Sequence, residues 1–140
     1  MRSMKLLLCA TLSIAAAACG DSTAPHTGGR QLAAQVQGMW AEKVTFPGIS
    51  LVLNLAAQDT VLTGAGTYSI EAGRSGTLVI TGLVSAQTVK LDLSYDYGSR
   101  AHFDGSLQDQ NTLSGLISYG PALPPGGTPF QITFERKQVR

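Results

Sequence analysis

Val89-Lys90-Leu91-Asp92-Leu93-Ser94-Tyr95-Asp96-Tyr97 alternates apolar and polar residues without a break. Side chains in an extended chain point to opposite faces at every step, so this period of two describes a strand with one face buried and one in water. The same period extends in both directions along the chain. Ile49, Leu51, Leu53 and Leu55 alternate with Ser50, Val52, Asn54 and Ala56. Leu62 to Ile70, Leu78 to Val84, Ala101 to Gln108, Leu113 to Tyr119 and Phe130 to Glu135 repeat the pattern. With a first strand over 38–46, the count is eight. Short polar segments separate the strands: Gln58-Asp59-Thr60, Gly73-Arg74-Ser75, Ala86-Gln87, Gly98-Ser99-Arg100 and Asp109-Gln110-Asn111. Connections this short join antiparallel neighbours. Placing Gly98-Ser99-Arg100 in the turn pairs Tyr97 with Ala101 and Tyr95 with Phe103.

These elements predict an all-β, eight-stranded antiparallel up-and-down meander. An open meander leaves two unpaired edges, and closure into a small barrel removes both. Inward glycines at Gly64, Gly66, Gly82, Gly105 and Gly115 suit the tight coiling of such a barrel. They also leave interior space that no side chain fills. Gln31 to Gln37 is expected to form a short helical turn ahead of the first strand. The organisation predicted is 1–18 signal segment, 19–30 flexible tether and 31–140 barrel domain.

Gly38-Met39-Trp40 opens the first strand, and Arg136 ends the last one on the inward parity of Phe130, Ile132 and Phe134. This resembles the G-x-W signature of calycins, the lipocalin and avidin-like barrels. The resemblance implies that Arg136 packs over Trp40 where the barrel closes. Trp40 is the only tryptophan. The tryptophan-lined pocket of avidins is therefore absent, and biotin binding does not carry over.

The N-terminus reads as an address. Two positive charges in Met1–Lys5 precede an apolar stretch from Leu6 to Ala18, which is too short to span a bilayer. Ala16-Ala17-Ala18-Cys19 is similar to the lipobox of bacterial lipoproteins. The resemblance implies cleavage before Cys19, lipid on its sulfur and membrane anchoring. With Gly20 rather than Asp next, it implies the outer membrane. The alternative is ordinary cleavage after Ala18, leaving Cys19 as a free thiol, a liability in an oxidising envelope. Cys9 departs with the signal segment, so no disulfide is expected in the domain.

Beyond residue 18, eight basic residues face nine acidic ones, which gives no electrostatic footprint for nucleic acid. Catalytic chemistry is not visible in the pattern. His102 has outward parity and is expected beside Asp96 and Asp104 as a surface cluster, without the ligands for a metal centre. His26 lies in the expected tether. Glu42 shares the inward parity of Trp40 and is expected at a bulge or paired with Arg136. The expectation is a non-enzyme without cofactor or metal, and a monomer.

Two features suggest binding. Tyr68, Tyr95, Tyr97, Phe103 and Tyr119 share inward faces and offer either plain core or the wall of a site for a small apolar ligand. Gly120 to Pro129 carries four of the six prolines in the one long connection. It is expected to lie over the Tyr97 end as a lid. The alternatives are a protein-binding lipoprotein, such as an inhibitor of an envelope hydrolase, and a structural envelope component.

Overall fold

A computed structural model describes residues 25–43, 48–70, 73–120 and 128–138. A helix, α1 (Pro25–Val36), precedes eight strands: β1 (Gly38–Glu42), β2 (Ile49–Gln58), β3 (Val61–Ile70), β4 (Arg74–Val84), β5 (Val89–Tyr95), β6 (Arg100–Asp109), β7 (Thr112–Tyr119) and β8 (Phe130–Arg136). Each strand pairs antiparallel with the next, and β8 returns to β1, so the barrel is closed in the order β1 to β8. The eight-stranded antiparallel barrel is therefore the fold.

The period-two residues form the core. Leu51, Leu53, Leu55, Leu62, Ile80, Leu91, Leu93, Phe103, Leu113, Ile132 and Phe134 are buried, while their chain neighbours point outward. The seam is short. Trp40 lies opposite Arg136, Ala41 opposite Glu135 and Glu42 opposite Phe134. Lys43 forms an ion pair with Glu135 across it at 2.6 Å.

The helix is longer than the sequence suggests. It begins at Pro25, so residues 25–30 are helical rather than tether, and His26 belongs to α1. Pro-His-Thr-Gly-Gly-Arg is poor in helix formers, and intrinsic propensity argues against it. Docking overrides propensity. Ala33 and Val36 are fully buried, and Gly29 brings the helix so near the barrel that a Cβ there would lie 3.1 Å from Thr60 Cγ2. Arg30 adds an ion pair to Asp59 at 3.2 Å. Cys9, Cys19 and residues 121–127 of the proline loop lie outside the described residues, as does 44–46 of the expected first strand.

The β5–β6 hairpin differs from the sequence expectation by four residues in pairing. Ala101 faces Leu93, His102 faces Asp92 and Phe103 faces Leu91. The loop is Asp96-Tyr97-Gly98, with the Gly98 N–H donating to Tyr95 O at 3.0 Å and the Tyr95 N–H to Ser99 O at 2.9 Å. Gly98 has φ 88°. A three-residue hairpin puts its left-handed residue last, where glycine is favoured. Starting the loop at Gly98 would have forced Arg100 into that conformation. The same rule moves the β3–β4 turn. Ile70 pairs with Arg74, and Gly73, at φ 83°, is the last loop residue. A shift of four keeps every side chain on its face, so the inside and outside sets survive the error.

The inward glycines do not hollow the barrel. A Cβ on Gly66 would lie 2.5 Å from Val52 O and 3.1 Å from Leu78 Cδ1, and one on Gly105 would lie 2.5 Å from Ser114 O. Gly64, Gly82 and Gly115 face neighbouring strand backbone as closely. These positions allow strands to approach and coil. The space above them is occupied by the side chains of Leu53, Leu78, Leu91 and Phe103.

Candidate functional site

The two ends of the barrel are built differently. One end is closed by α1. The Trp40 indole N–H donates to Val36 O at 2.7 Å, and the Arg136 guanidinium lies 4.4 Å from the centroid of the indole ring. Arg136 Nη1 donates to Gln37 O at 2.7 Å, Nε to Gln110 O at 2.9 Å, and Nη2 to Gln35 O. One cation thus satisfies the carbonyls that a helix C-terminus leaves free and covers the tryptophan. Gly38 makes this geometry available. It has φ 128°, and a Cβ there would lie 2.7 Å from Arg136 Nη1.

The other end is aromatic. β3 brings Tyr68, β5 and its turn bring Tyr95 and Tyr97, β7 brings Tyr119, and β8 brings Phe130. Tyr68, Tyr95 and Tyr97 form a triangle with ring centroids 5.3 to 5.5 Å apart. Tyr119 lies 6.2 Å from Tyr95 and stacks on Phe130 at 5.8 Å. Tyr68 and Tyr95 are buried, and Tyr97 is the outermost ring, 37 % exposed. Tyr97 belongs to the loop rather than to the inward strand face that its parity suggested. Arg74 covers its outer side, 5.5 Å from the ring centroid. Phe103 does not join this group. It lies deeper and packs edge-on to Phe134 at 5.7 Å, as core.

Two acids attend the tyrosines. Asp96 accepts the Tyr68 hydroxyl at 2.9 Å and the Thr77 backbone N–H at 2.8 Å. The Thr77 N–H, followed by the Tyr68 hydroxyl, holds its carboxyl below the ordinary carboxylate range. A carboxyl pKa depressed by folding contributes stability above its unfolded value of about 4, and that contribution disappears as pH falls through the folded value. Asp96→Asn is therefore expected to lower the midpoint of thermal unfolding at pH 7 and to flatten the acid limb of the stability curve. Melts between pH 2 and 7 check this.

Glu42 is the second acid, on β1 and inward. It does not pair with Arg136: Glu42 lies opposite Phe134, one inward position along the seam from the Trp40–Arg136 pair, and the guanidinium turns to the carbonyls of Gln35, Gln37 and Gln110 instead. Burial raises its pKa, an effect partly offset by a hydrogen bond from the Leu51 backbone N–H. Its Oε2 is sealed from solvent and has no hydrogen-bond partner. Burial is also the main cause that raises the pKa of Tyr95 and of Tyr119, and the Glu42 charge adds to both. The Tyr95 and Tyr119 hydroxyls are 3.5 Å apart, a weak contact. The Glu42 charge is therefore felt at the Tyr95 and Tyr119 hydroxyls, and its Oε2 keeps unused acceptor capacity.

His102 is on the outer wall. Its Nδ1 meets the Asp92 carboxylate rather than Asp96 or Asp104, because the hairpin register differs, and Asp104 pairs with Lys90 at 3.3 Å. Ser118 is the cross-strand neighbour of His102 on β7. No described hydrogen bond joins them, so Asp92, His102 and Ser118 form a row without an activated nucleophile. Among the described residues no group of three potential metal ligands occurs.

Sequence reasoning missed Phe130, Arg74 and Asp96 as members of the tyrosine end. Phe130 had the inward parity to be included. Arg74 and Asp96 enter only through the true hairpin geometry.

No family model and no curated protein matches the chain. Among solved structures, the chain is similar to a redesigned β-barrel, b11L5F_LGL, at 12% identity and a TM-score of 0.63, covering 76% of this chain and 96% of that one. It is also similar to mFAP1, a redesigned β-barrel bound to DFHBI, at 16% identity and TM-score 0.62 over 75% and 98% of the two chains. EF1p2_mFAP2b bound to DFHBI gives 12% identity and TM-score 0.61 over 78% and 98%. At these identities the likeness is one of fold.

Proposed function

We propose that this chain is a lipid-anchored envelope protein whose barrel binds a small, mostly apolar ligand at its tyrosine end without transforming it. The observation that carries the reading is Glu42. A sealed carboxyl oxygen without a partner costs about 1–3 kcal/mol, and a ligand donor placed against it would remove that cost. Tyr68, Tyr95, Tyr97, Tyr119 and Phe130 supply apolar faces with polar edges, the usual lining of a small-molecule site. Barrels of similar fold hold a small ligand, DFHBI. The Trp40–Arg136 closure supports kinship with calycins, in which ligands enter at one end of the barrel.

The test uses N-phenyl-1-naphthylamine, a neutral aromatic fluorophore with one N–H donor. It is expected to bind the mature chain saturably and to raise its midpoint. Glu42→Leu removes the acceptor and is expected to weaken binding about fivefold, which is one hydrogen bond of about 1 kcal/mol. The same variant should be more stable when unliganded at neutral pH. Glu42 has a raised folded pKa, so its ionisation removes stability as pH climbs from the unfolded value through the folded one. Absence of saturable binding, or identical binding by Glu42→Leu, overturns the reading.

The anchor rests on Ala16-Ala17-Ala18-Cys19. Metabolic labelling with a clickable fatty acid is expected to mark the wild type and not Cys19→Ser. Equal labelling of both, or of neither, removes the anchor and with it the outer-membrane assignment.

A further inference from the structure

The outer wall of the barrel is two-faced. On β5 and β6 it presents Lys90, Asp92, Arg100, His102 and Asp104. On β2, β3 and β4, the outward positions from Ser50 to Gln58, Val61 to Ser69 and Ser75 to Leu83 carry no charged side chain. They are Thr, Ser, Val, Ala, Asn, Gln and Leu. Three of the five exposed large hydrophobics among the described residues belong to this wall: Val61, Val79 and Leu83, the last two each 61% exposed. Val61 and Leu83 are cross-strand partners at its helix end, and Val79 faces Ala65 further along. Charge on a surface costs free energy to bring against lipid, and neutral residues avoid most of that cost.

The helix shows which way this wall faces. The first turns of α1 lie over the β2–β3 and β4–β5 turns. A Cβ on Gly28 would be 4.0 Å from Ala86 Cα, and one on Gly29 would be 3.4 Å from Val84 O. The chain therefore enters the domain directly above the ends of β3 and β4, next to Val61 and Leu83. Five residues separate Cys19 from Pro25. Even fully extended, they reach only about 20 Å, whereas a ten-residue strand is about 33 Å long. A lipid on Cys19 holds the bilayer within about 20 Å of Pro25, at the start of the helix that lies over the ends of β3 and β4.

We propose that the β2–β4 wall is the membrane-facing side of the domain, with Leu83, Val61 and Val79 resting in the lipid headgroup region and the charged β5–β6 wall turned to water. This rests on the lipid anchor proposed above. A lipoprotein-type anchor fixes the distance to the bilayer but not the orientation of the barrel, and a neutral surface lying on the bilayer would fix that orientation. The tyrosine end would then open along the membrane plane.

The experiment uses the mature lipidated chain in vesicles of phosphatidylethanolamine and phosphatidylglycerol, after its mass has shown whether Cys19 carries lipid. Lipidation consumes the Cys19 thiol, so Leu83→Cys, Val79→Cys and Asp104→Cys each take one environment-sensitive fluorophore. The three sites are exposed, so labelling removes little packing. A spin-labelled lipid is expected to quench positions 83 and 79 several-fold more than position 104, with emission shifted to the blue. Equal quenching at the three sites in a lipidated chain overturns the orientation and leaves the anchor standing. Shielding of 83 and 79 from aqueous quencher without quenching by lipid shows that a protein covers the wall, and also overturns it. A chain without lipid overturns both.

Discussion

Arg136→Ala is expected to destabilise the barrel by roughly 3 kcal/mol and to shift Trp40 emission to the red. The guanidinium donates to the carbonyls of Gln35, Gln37 and Gln110 and lies over the indole ring. A cation over an aromatic ring contributes roughly 0.5–2 kcal/mol. Hydrogen bonds from a charged donor contribute about 1.5–3 kcal/mol each when buried, and less where water competes as it does here. The truncation also opens the end of the barrel that α1 and Arg136 close together, and water then reaches a fully buried Trp40. For a domain of this size the thermal midpoint should fall by about 10–20 °C. Arg136→Lys keeps the charge but not the planar fork, so it should recover only part of the loss. Thermal melts followed by tryptophan emission check both variants. Unchanged midpoint and unchanged emission in Arg136→Ala would remove the closure role assigned to this residue.

Gly105→Leu is expected to prevent folding, or to cost more than about 3 kcal/mol. Read from sequence alone, Gly105 looks like vacant interior that a larger side chain could fill. In the structure, its missing Cβ would lie 2.5 Å from Ser114 O, and closer still to the Phe103 ring. Phe103 could rotate, but Ser114 O belongs to the β6–β7 ladder and cannot give way without breaking pairing. Overpacking a tight core usually costs about 1–3 kcal/mol, and a collision with backbone adds to that. Gly64→Ala should behave similarly, since its Cβ would strike the Asn54 carbonyl. Gly98→Ala is the contrast. Nothing lies within 4 Å of its Cβ, so only the left-handed φ is penalised, at about 1 kcal/mol. Urea midpoints rank the three. A folded Gly105→Leu chain of wild-type stability would show that the barrel holds the interior space its sequence suggests.

The sequence by itself determined the strand number, the antiparallel order and which residues face inward. Period two is a local property, and one buried face imposes it on every strand from Leu51 to Phe134. Even the misplaced β5–β6 turn left these assignments intact, because a shift of four residues preserves parity. The Gly38–Trp40–Arg136 constellation was legible through the resemblance of Gly38-Met39-Trp40 to the calycin signature, with parity supplying only the inward face of Arg136. It joins the first and last strands, and only closure brings them together.

Tertiary structure decided what local patterning cannot encode. Residues 25–30 are helical because Ala33, Val36 and Gly29 dock on the barrel, against their own propensity. The glycines were visible, but only strand coiling shows that neighbours close over them. The tyrosines share a parity, yet parity says nothing of depth. Register places Tyr68, Tyr95, Tyr97 and Tyr119 at one end and sends Phe103 into the core. Glu42 could be read as inward. That one of its oxygens lies sealed and without a partner, while the Arg136 guanidinium one position along the seam is taken up by helix and turn carbonyls, follows from the packing of the walls around it.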